Sequence, residues 1–347
     1  MTKKIAVVLF NLGGPDSLKA VRPFLFRLFN DPAIIDFPQP FRTMLALFIS
    51  TMRNKKAQKI YKHMGGKSPI LEQTMAQAEA LEKKLQARSG SDTEYKVFVS
   101  MRYWHPMSGQ VVKDVKSYDP DQVILLPLYP QFSTTTTGSS LADWEATAEK
   151  NQLDTPTTSI CCYPDDRGFV AAHAKRIKDV YWKAADQGKP KILFSAHGLP
   201  EKIIAAGDPY QWQVEKSVEA IVQILAIDDL DYGICYQSRV GKLEWIGPST
   251  EEEIMLAGEQ KIPLLVVPIS FVSEHSETLV ELDIDYRNLA LANGVPGYWR
   301  VAALGVEEFF IEMLSDLCLN SGKDGQIRPA GKERLCPKSF EKCICTG

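Results

Sequence analysis

Short, almost uninterrupted apolar runs recur along the chain. A run of that kind is what a parallel strand buried on both faces requires. Eight stand out: Ile5–Leu12, Tyr95–Met101, Gln122–Tyr129, Thr157–Tyr163, Lys191–Ala196, Tyr232–Tyr236, Ile262–Ile269 and Trp299–Leu304. Between most of them apolar residues return at spacings of three and four, the period of a helix with one buried face. Those segments are Ser17–Phe29, Glu72–Gln86, Phe169–Ala185, Gln211–Leu225 and Glu251–Ala257. The alternation predicts an α/β architecture on parallel sheets. The strands divide four and four about the helical segment Arg167–Asp186, which predicts two doubly wound domains of similar plan with a cleft between them. A last helical segment, Val306–Asn320, is expected to cross back over the first domain. The domains are then 1–165 plus 306–347, and 166–305. The tail after Ser321 has little periodicity and cannot build a core alone.

Composition narrows the class. At 347 residues, about two domains of ~150 are expected. With 45% apolar residues and a net charge of −3, disorder is excluded. Forty basic against 43 acidic residues excludes a nucleic-acid binder with a dominant basic field. The N-terminal apolar run is short for a signal segment and reads as a first strand. The longest uncharged stretch, Gln122 to Ala142, is broken by Pro127 and Pro130, so no transmembrane span is expected. The chain reads as cytoplasmic, soluble or at most bound to a membrane surface. One segment, Phe37–Ile49, is apolar with the single charge Arg42, and a basic stretch, Arg53–Lys56, follows it. It reads either as a buried helix or as a hydrophobic lip touching a membrane or an apolar substrate.

Candidate chemistry concentrates in the second half. His197 and His275 are two of only five histidines, and each follows a predicted strand. Ligands of open α/β sheets bind at those carboxyl ends. Glu277, Glu281 and Asp285 follow at four-residue spacing, near one face of a helix. Such a run is either a solvated acidic face or a ladder passing a cation toward His275. Carboxylate with imidazole suits divalent iron, zinc or manganese. A π-helical turn would align the three carboxylates, which drift around a regular α-helix. The Gly13-Gly14-Pro15-Asp16 turn lacks the spacing of a Rossmann or a Walker phosphate loop. It reads as a tight turn that lets backbone approach a ligand. The polar tract Ser133–Ser140 carries the same two readings, turn or ligand loop. Of seven cysteines, Cys336, Cys343 and Cys345 fall in the last twelve residues. Three thiols so close suit a soft metal centre that needs a fourth ligand, for which Cys161 or Cys162 is the natural source.

Several segments together resemble the ferrochelatase family: Phe10–Ser17, Gly65–Ile70, Met101–Pro106, Tyr129–Ser133, Phe194–Pro200, Tyr236–Gly241 and Val267–Asp283. The match runs to about Gly305. The resemblance implies two similar Rossmann-like domains, each with a four-stranded parallel sheet flanked by helices, and an active-site cleft between them. It implies insertion of ferrous iron, Fe2+, into protoporphyrin IX to give protohaem. His197 is then the pocket histidine, with Glu277 and His275 facing it as catalytic residues. His197, Glu277, Glu281 and Asp285 become the iron path, and Leu12, Arg53, Ser68, Arg102, Tyr103, Tyr129 and Trp245 the porphyrin pocket. Arg53 and Arg102 are the candidates for the propionates. Residues 37–49 become the lip, with peripheral contact to the inner face of a membrane, and a homodimer is compatible with the reading. The cysteine tail resembles that of cluster-bearing bacterial members. A [2Fe–2S] cluster would then sit on Cys336, Cys343, Cys345 and Cys162, or Cys161 in its place. The segment that supplies the internal ligand in animal members has Thr134 and no cysteine here. The competing readings are a chelatase for coproporphyrin III or another tetrapyrrole, and a haem or iron carrier without turnover.

Overall fold

The apolar runs become parallel strands because their residues have no face left for water. Val7, Val8 and Leu9 are fully buried, as are Ile192 to Phe194 and Leu264 to Val267. The computed structural model describes residues 2–239, 241, 243–322, 327–330 and 333–345. In chain order the strands are β1 (Lys3–Asn11), β2 (Thr93–Met101), β3 (Gln122–Pro127), β4 (Thr157–Ile160), β5 (Lys191–His197), β6 (Tyr232–Gln237), β7 (Leu264–Pro268), β8 (Tyr298–Arg300) and β9 (Ile327–Arg328).

The chain divides into two units. One comprises Met1–Cys162, Leu314–Leu335 and Ile344–Gly347, the other Tyr163–Met313 and Cys336–Cys343. The first carries the sheet β2-β1-β3-β4-β9 and the second the sheet β6-β5-β7-β8, with every ladder parallel. The first four strands of each unit therefore follow one spatial order, a repeat of topology that the residues do not display. The first sheet differs from a four-stranded one by β9, which pairs with Ser159 and Ile160. A polar tail can do this because an edge strand offers free backbone N–H and C=O groups, and joining it needs no apolar face.

Of the two readings of residues 37–49, burial fails. The helix Phe41–His63 buries Ala46, Ser50 and Tyr61. Phe37, Phe41, Met44, Leu47, Phe48 and Met52 are all at least half exposed. The Gly13-Gly14 turn is closely packed. A Cβ on Gly14 would lie 2.6 Å from the Ser68 side chain, and one on Gly13 3.0 Å from Met101. The turn serves close packing of backbone. The tract from Ser133 opens a helix, as a π-helical turn Thr134–Gly138 followed by the α-helix Ser139–Lys150.

In the second unit a buried arginine ties the segment after β7 to β8. Arg300 donates from Nη1 to Glu274 Oε1 at 3.0 Å, and from Nε and Nη2 to the two oxygens of Asp283 at 2.8 and 2.7 Å. Its side chain is only 8% exposed. Removing one partner of such a cluster strands the others without compensation. We expect Arg300→Met to cost about 3 kcal/mol, read as a lower denaturation midpoint in urea at unchanged slope.

Candidate functional site

His197 is the last residue of β5, where a parallel sheet leaves backbone groups and side chains open to a ligand. Beyond β7 the chain passes His275 and enters a π-helix, Glu277–Tyr286. The ladder spacing thus falls on the wider turn that the residues called for, a feature common at functional sites. His197 Nδ1 meets Glu277 Oε2 at 2.8 Å, and His275 Nε2 lies 3.9 Å from the same oxygen. One carboxylate therefore serves two imidazoles.

Glu281 is held from several directions. The Ser238 N–H donates to Oε1 at 3.0 Å and the Ser238 hydroxyl to Oε2 at 2.5 Å. Gln237 Nε2 donates to Oε2 at 3.0 Å, and the Tyr286 hydroxyl lies 3.2 Å from Oε1. Asp285, the outermost of the three, is exposed. The ladder thus climbs from solvent to the histidine pair.

Charges follow this arrangement. Burial opposes a proton on His197, but the Glu277 carboxylate, through its charge and its hydrogen bond, outweighs burial and raises the pKa above 6.5. Glu277 mirrors it. Burial favours its neutral form, yet His197 and then His275 hold its pKa well below the usual carboxylate range. Glu281 goes the other way, raised by burial and by the Glu277 charge, against the bonds from Ser238 and Gln237. Burial depresses His275, with the Glu277 charge resisting. Two carboxylates and two imidazoles in one network are thereby pushed apart in pKa.

Trp245 joins this site. It bridges to Pro200, and a Cβ on Gly198 would lie 3.5 Å from its ring. The same Cβ would lie 3.1 Å from the Gln237 carbonyl, so a side chain next to His197 would need its neighbours to give by a few tenths of an ångström.

The predicted pocket residues of the first unit gather largely at the carboxyl ends of its strands. The N–H of Arg102 bonds the Asn11 carbonyl and that of Tyr103 the Leu12 carbonyl. Tyr103 and Trp104 pack with Ala20 and Phe24, and Leu12 lies against them. Ser68 sits against Gly14, and Tyr129 follows β3. Asp31, which the residue pattern did not single out, organises this end. It accepts from the hydroxyls of Tyr103 and Ser139 and pairs with Arg102 at 2.8 Å. Arg102 also faces Asp143 at 3.4 Å, so its charge is met inside the unit. That is a departure from its expected role as a free cation for a propionate. Arg53 stacks over Phe29 and makes no ion pair among the described residues, which leaves it the better candidate.

All seven cysteines are buried. In the first unit the thiols of Cys161 and Cys162 lie 3.5 Å apart. Hydrogen bonds with Cys162 and Cys345, then burial, raise the Cys161 pKa well above its usual value. In the second unit Cys336 accepts from Gln213 Nε2 at 3.0 Å, and Cys343, in the same tail segment, is also buried. The donors are thus of the soft, buried kind an iron–sulfur cluster needs. Among the described residues, however, no group of three or more His, Cys, Asp or Glu side chains is arranged to hold a metal ion.

The profile of the ferrochelatase family matches residues 4–321. The ferrochelatase of Pelagibacter ubique is 51% identical over 343 residues, covering 99% of this chain and 98% of its own. That of Wolbachia sp. subsp. Drosophila simulans is 54% identical over 317 residues, 91% of this chain and 99% of its own. The ferrochelatase of Rickettsia bellii is 49% identical over 347 residues, 99% and 95% of the two chains. Among solved structures, SirB from Bacillus subtilis, determined with Fe3+, superposes with a TM-score of 0.54 at 12% identity, over 92% of this chain and 96% of its own, and supports the fold alone. These matches set aside the carrier and the other tetrapyrrole chelatases. The chain belongs to the ferrochelatase family, enzymes that insert ferrous iron into a porphyrin to make haem.

Proposed function

We propose that in this chain the insertion of iron into protoporphyrin IX runs on the His197–Glu277 pair. The observation that carries the reading is the 2.8 Å contact between them at the carboxyl end of β5, with Glu281 behind it. Nδ1 of His197 donates to the carboxylate, which fixes the tautomer and leaves Nε2 with a free lone pair. Protoporphyrin loses two inner N–H protons when a metal enters. Nε2 takes the first from a pyrrole nitrogen, the imidazolium that forms is stabilised by Glu277, and once the ring, 38% exposed, has passed that proton to solvent it takes the second. A base with a raised pKa suits proton removal near neutral pH. Asp285 and Glu281 receive hydrated ferrous iron, and the mix of carboxylate and imidazole holds it loosely enough to release. For the porphyrin the same reading takes Leu12, Ser68, Tyr103 and Tyr129 from the first unit, with Arg53 for a propionate, and Trp245 from the second.

Two further roles belong to the same reading. The exposed apolar residues from Phe37 to Met52, followed by Arg53, Lys55 and Lys56, form a lip that rests on the cytoplasmic face of a membrane, from which an apolar porphyrin is taken up. No described helix is long and apolar enough to cross a membrane. The cysteine tail carries a [2Fe–2S] cluster on Cys336, Cys343, Cys345 and Cys162, or Cys161 in its place. The burial of all five thiols and the contact among Cys161, Cys162 and Cys345 support it. Such a cluster would give the tail the order that its own few apolar residues do not.

Three outcomes are expected. His197→Ala should bind porphyrin, yet insert iron at least ~10²-fold more slowly, as for the loss of a positioned base. Near-normal turnover, followed as loss of porphyrin fluorescence under anaerobic conditions, contradicts this. Proton NMR of the His197 ring should show titration above 6.5 in the wild type. The sign follows from linkage. The raised His197 pKa stabilises the fold fully below 6.5 and loses that effect as pH rises through the raised value. The depressed Glu277 pKa stabilises above 4.5 and fails as pH falls through its lowered value. In Glu277→Gln burial dominates, and the ring should titrate at lower pH than in the wild type. Finally, Cys343→Ser should bleach visible cluster absorption and lower thermal stability, while Cys318→Ser should leave the absorption unchanged. Zinc in place of iron and sulfide in the purified protein would remove the cluster from the account.

A further inference from the structure

We infer that Gln237 is a positioning residue for iron insertion, its amide fixing Glu281 and the start of the π-helix relative to His197. The inference rests on the proposed roles of His197 and the ladder. In the parallel pairing of β5 with β6, Gln237 is the register partner of His197, so the two side chains leave the sheet on the same face. Gln237 is fully buried. Its Nε2 donates twice, to Glu281 Oε2 at 3.0 Å and to the carbonyl of Glu277 at 3.1 Å. Its Oε1 accepts from the Ser195 hydroxyl at 2.8 Å. Ser195 lies two residues before His197, on the same face of β5, and its hydroxyl is 3.2 Å from that of Thr250. The two acceptors at one end and the hydroxyl at the other allow the amide a single orientation.

A neutral amide is the group this place requires. A lysine or arginine could hold Glu281 as firmly, but its charge would neutralise the carboxylate and repel an incoming cation. A hydroxyl has a single donor and could not hold both Glu281 and the Glu277 carbonyl. Gln237 therefore orients the carboxylate without reducing its charge. Ser238 completes the support from a backbone in the left-handed region, φ 63°, which directs its N–H at Glu281. Such conformations persist where the surroundings over-determine them.

The test compares wild type, Gln237→Met and Ser195→Ala, well below their melting temperatures. Gln237→Met keeps the length and loses both donors. Its kcat/KM for ferrous iron should fall at least roughly tenfold, since small displacements of positioned groups cost this much or more. KM for porphyrin should stay within about twofold. Amide exchange over residues 277–286 should quicken while that of the first unit stays constant. Ser195→Ala frees one end of the amide and should move the iron term alone, by a smaller factor. Loss of both substrate terms together would mean a merely structural role. Unchanged iron kinetics in either soluble variant would overturn the inference, and Ser195→Ala decides it if Gln237→Met fails to fold. Quickened exchange with a wild type that inserts no iron would instead remove the iron-insertion reading.

Discussion

The working end of the second sheet is arranged around one contact, a charged hydrogen bond of 2.8 Å between His197 and Glu277. Its two halves come from different elements. The strand end supplies the imidazole and the start of the π-helix the carboxylate. Neither element alone fixes their separation. Arg300 ties Glu274 and Asp283 to β8, and the amide of Gln237 ties Glu277 and Glu281 to β6. The pair is thus held from both sides by buried polar groups, which are costly to leave unsatisfied and therefore specify one geometry.

The contact also sets the electrostatics. A buried histidine alone would lose its proton readily, and a buried carboxylate alone would keep one. Together they do the reverse, and Glu281, one turn along, is raised by its burial and then by the Glu277 charge. Along the same helix exposure falls from Asp285 to the half-buried Glu281 and Glu277. The first unit shows another use of charge. Arg102 is spent on Asp31 and Asp143, where it stiffens the strand ends beside Tyr103.

What the residues disclosed depended on the range of the interaction. All eight main strands were legible, because burial on both faces leaves an apolar run such as Leu264–Val267 with no alternative. The ladder and its π-turn were legible because both are local spacings along one element. Asp31, Ser195 and Gln237 were not, although Ser195 and Gln237 lay inside recognised segments. Their importance comes from partners 40 to 108 positions away in the chain, and no periodicity records that. The helix Phe41–His63 stayed ambiguous because a stretch with one charge reads alike whether it faces a core or a membrane. Strand β9 was illegible for the opposite reason, since it contributes backbone and almost no side-chain burial.

The central claim is that His197 and Glu277 act as a single unit. A double-mutant cycle on single-turnover iron insertion, with His197→Ala, Glu277→Gln and the double variant, measures this directly. If the pair is the working unit, the double variant is no slower than the slower single one, because the first substitution already removes what the second would. Losses that multiply would mean two independent contributions, and would contradict the account.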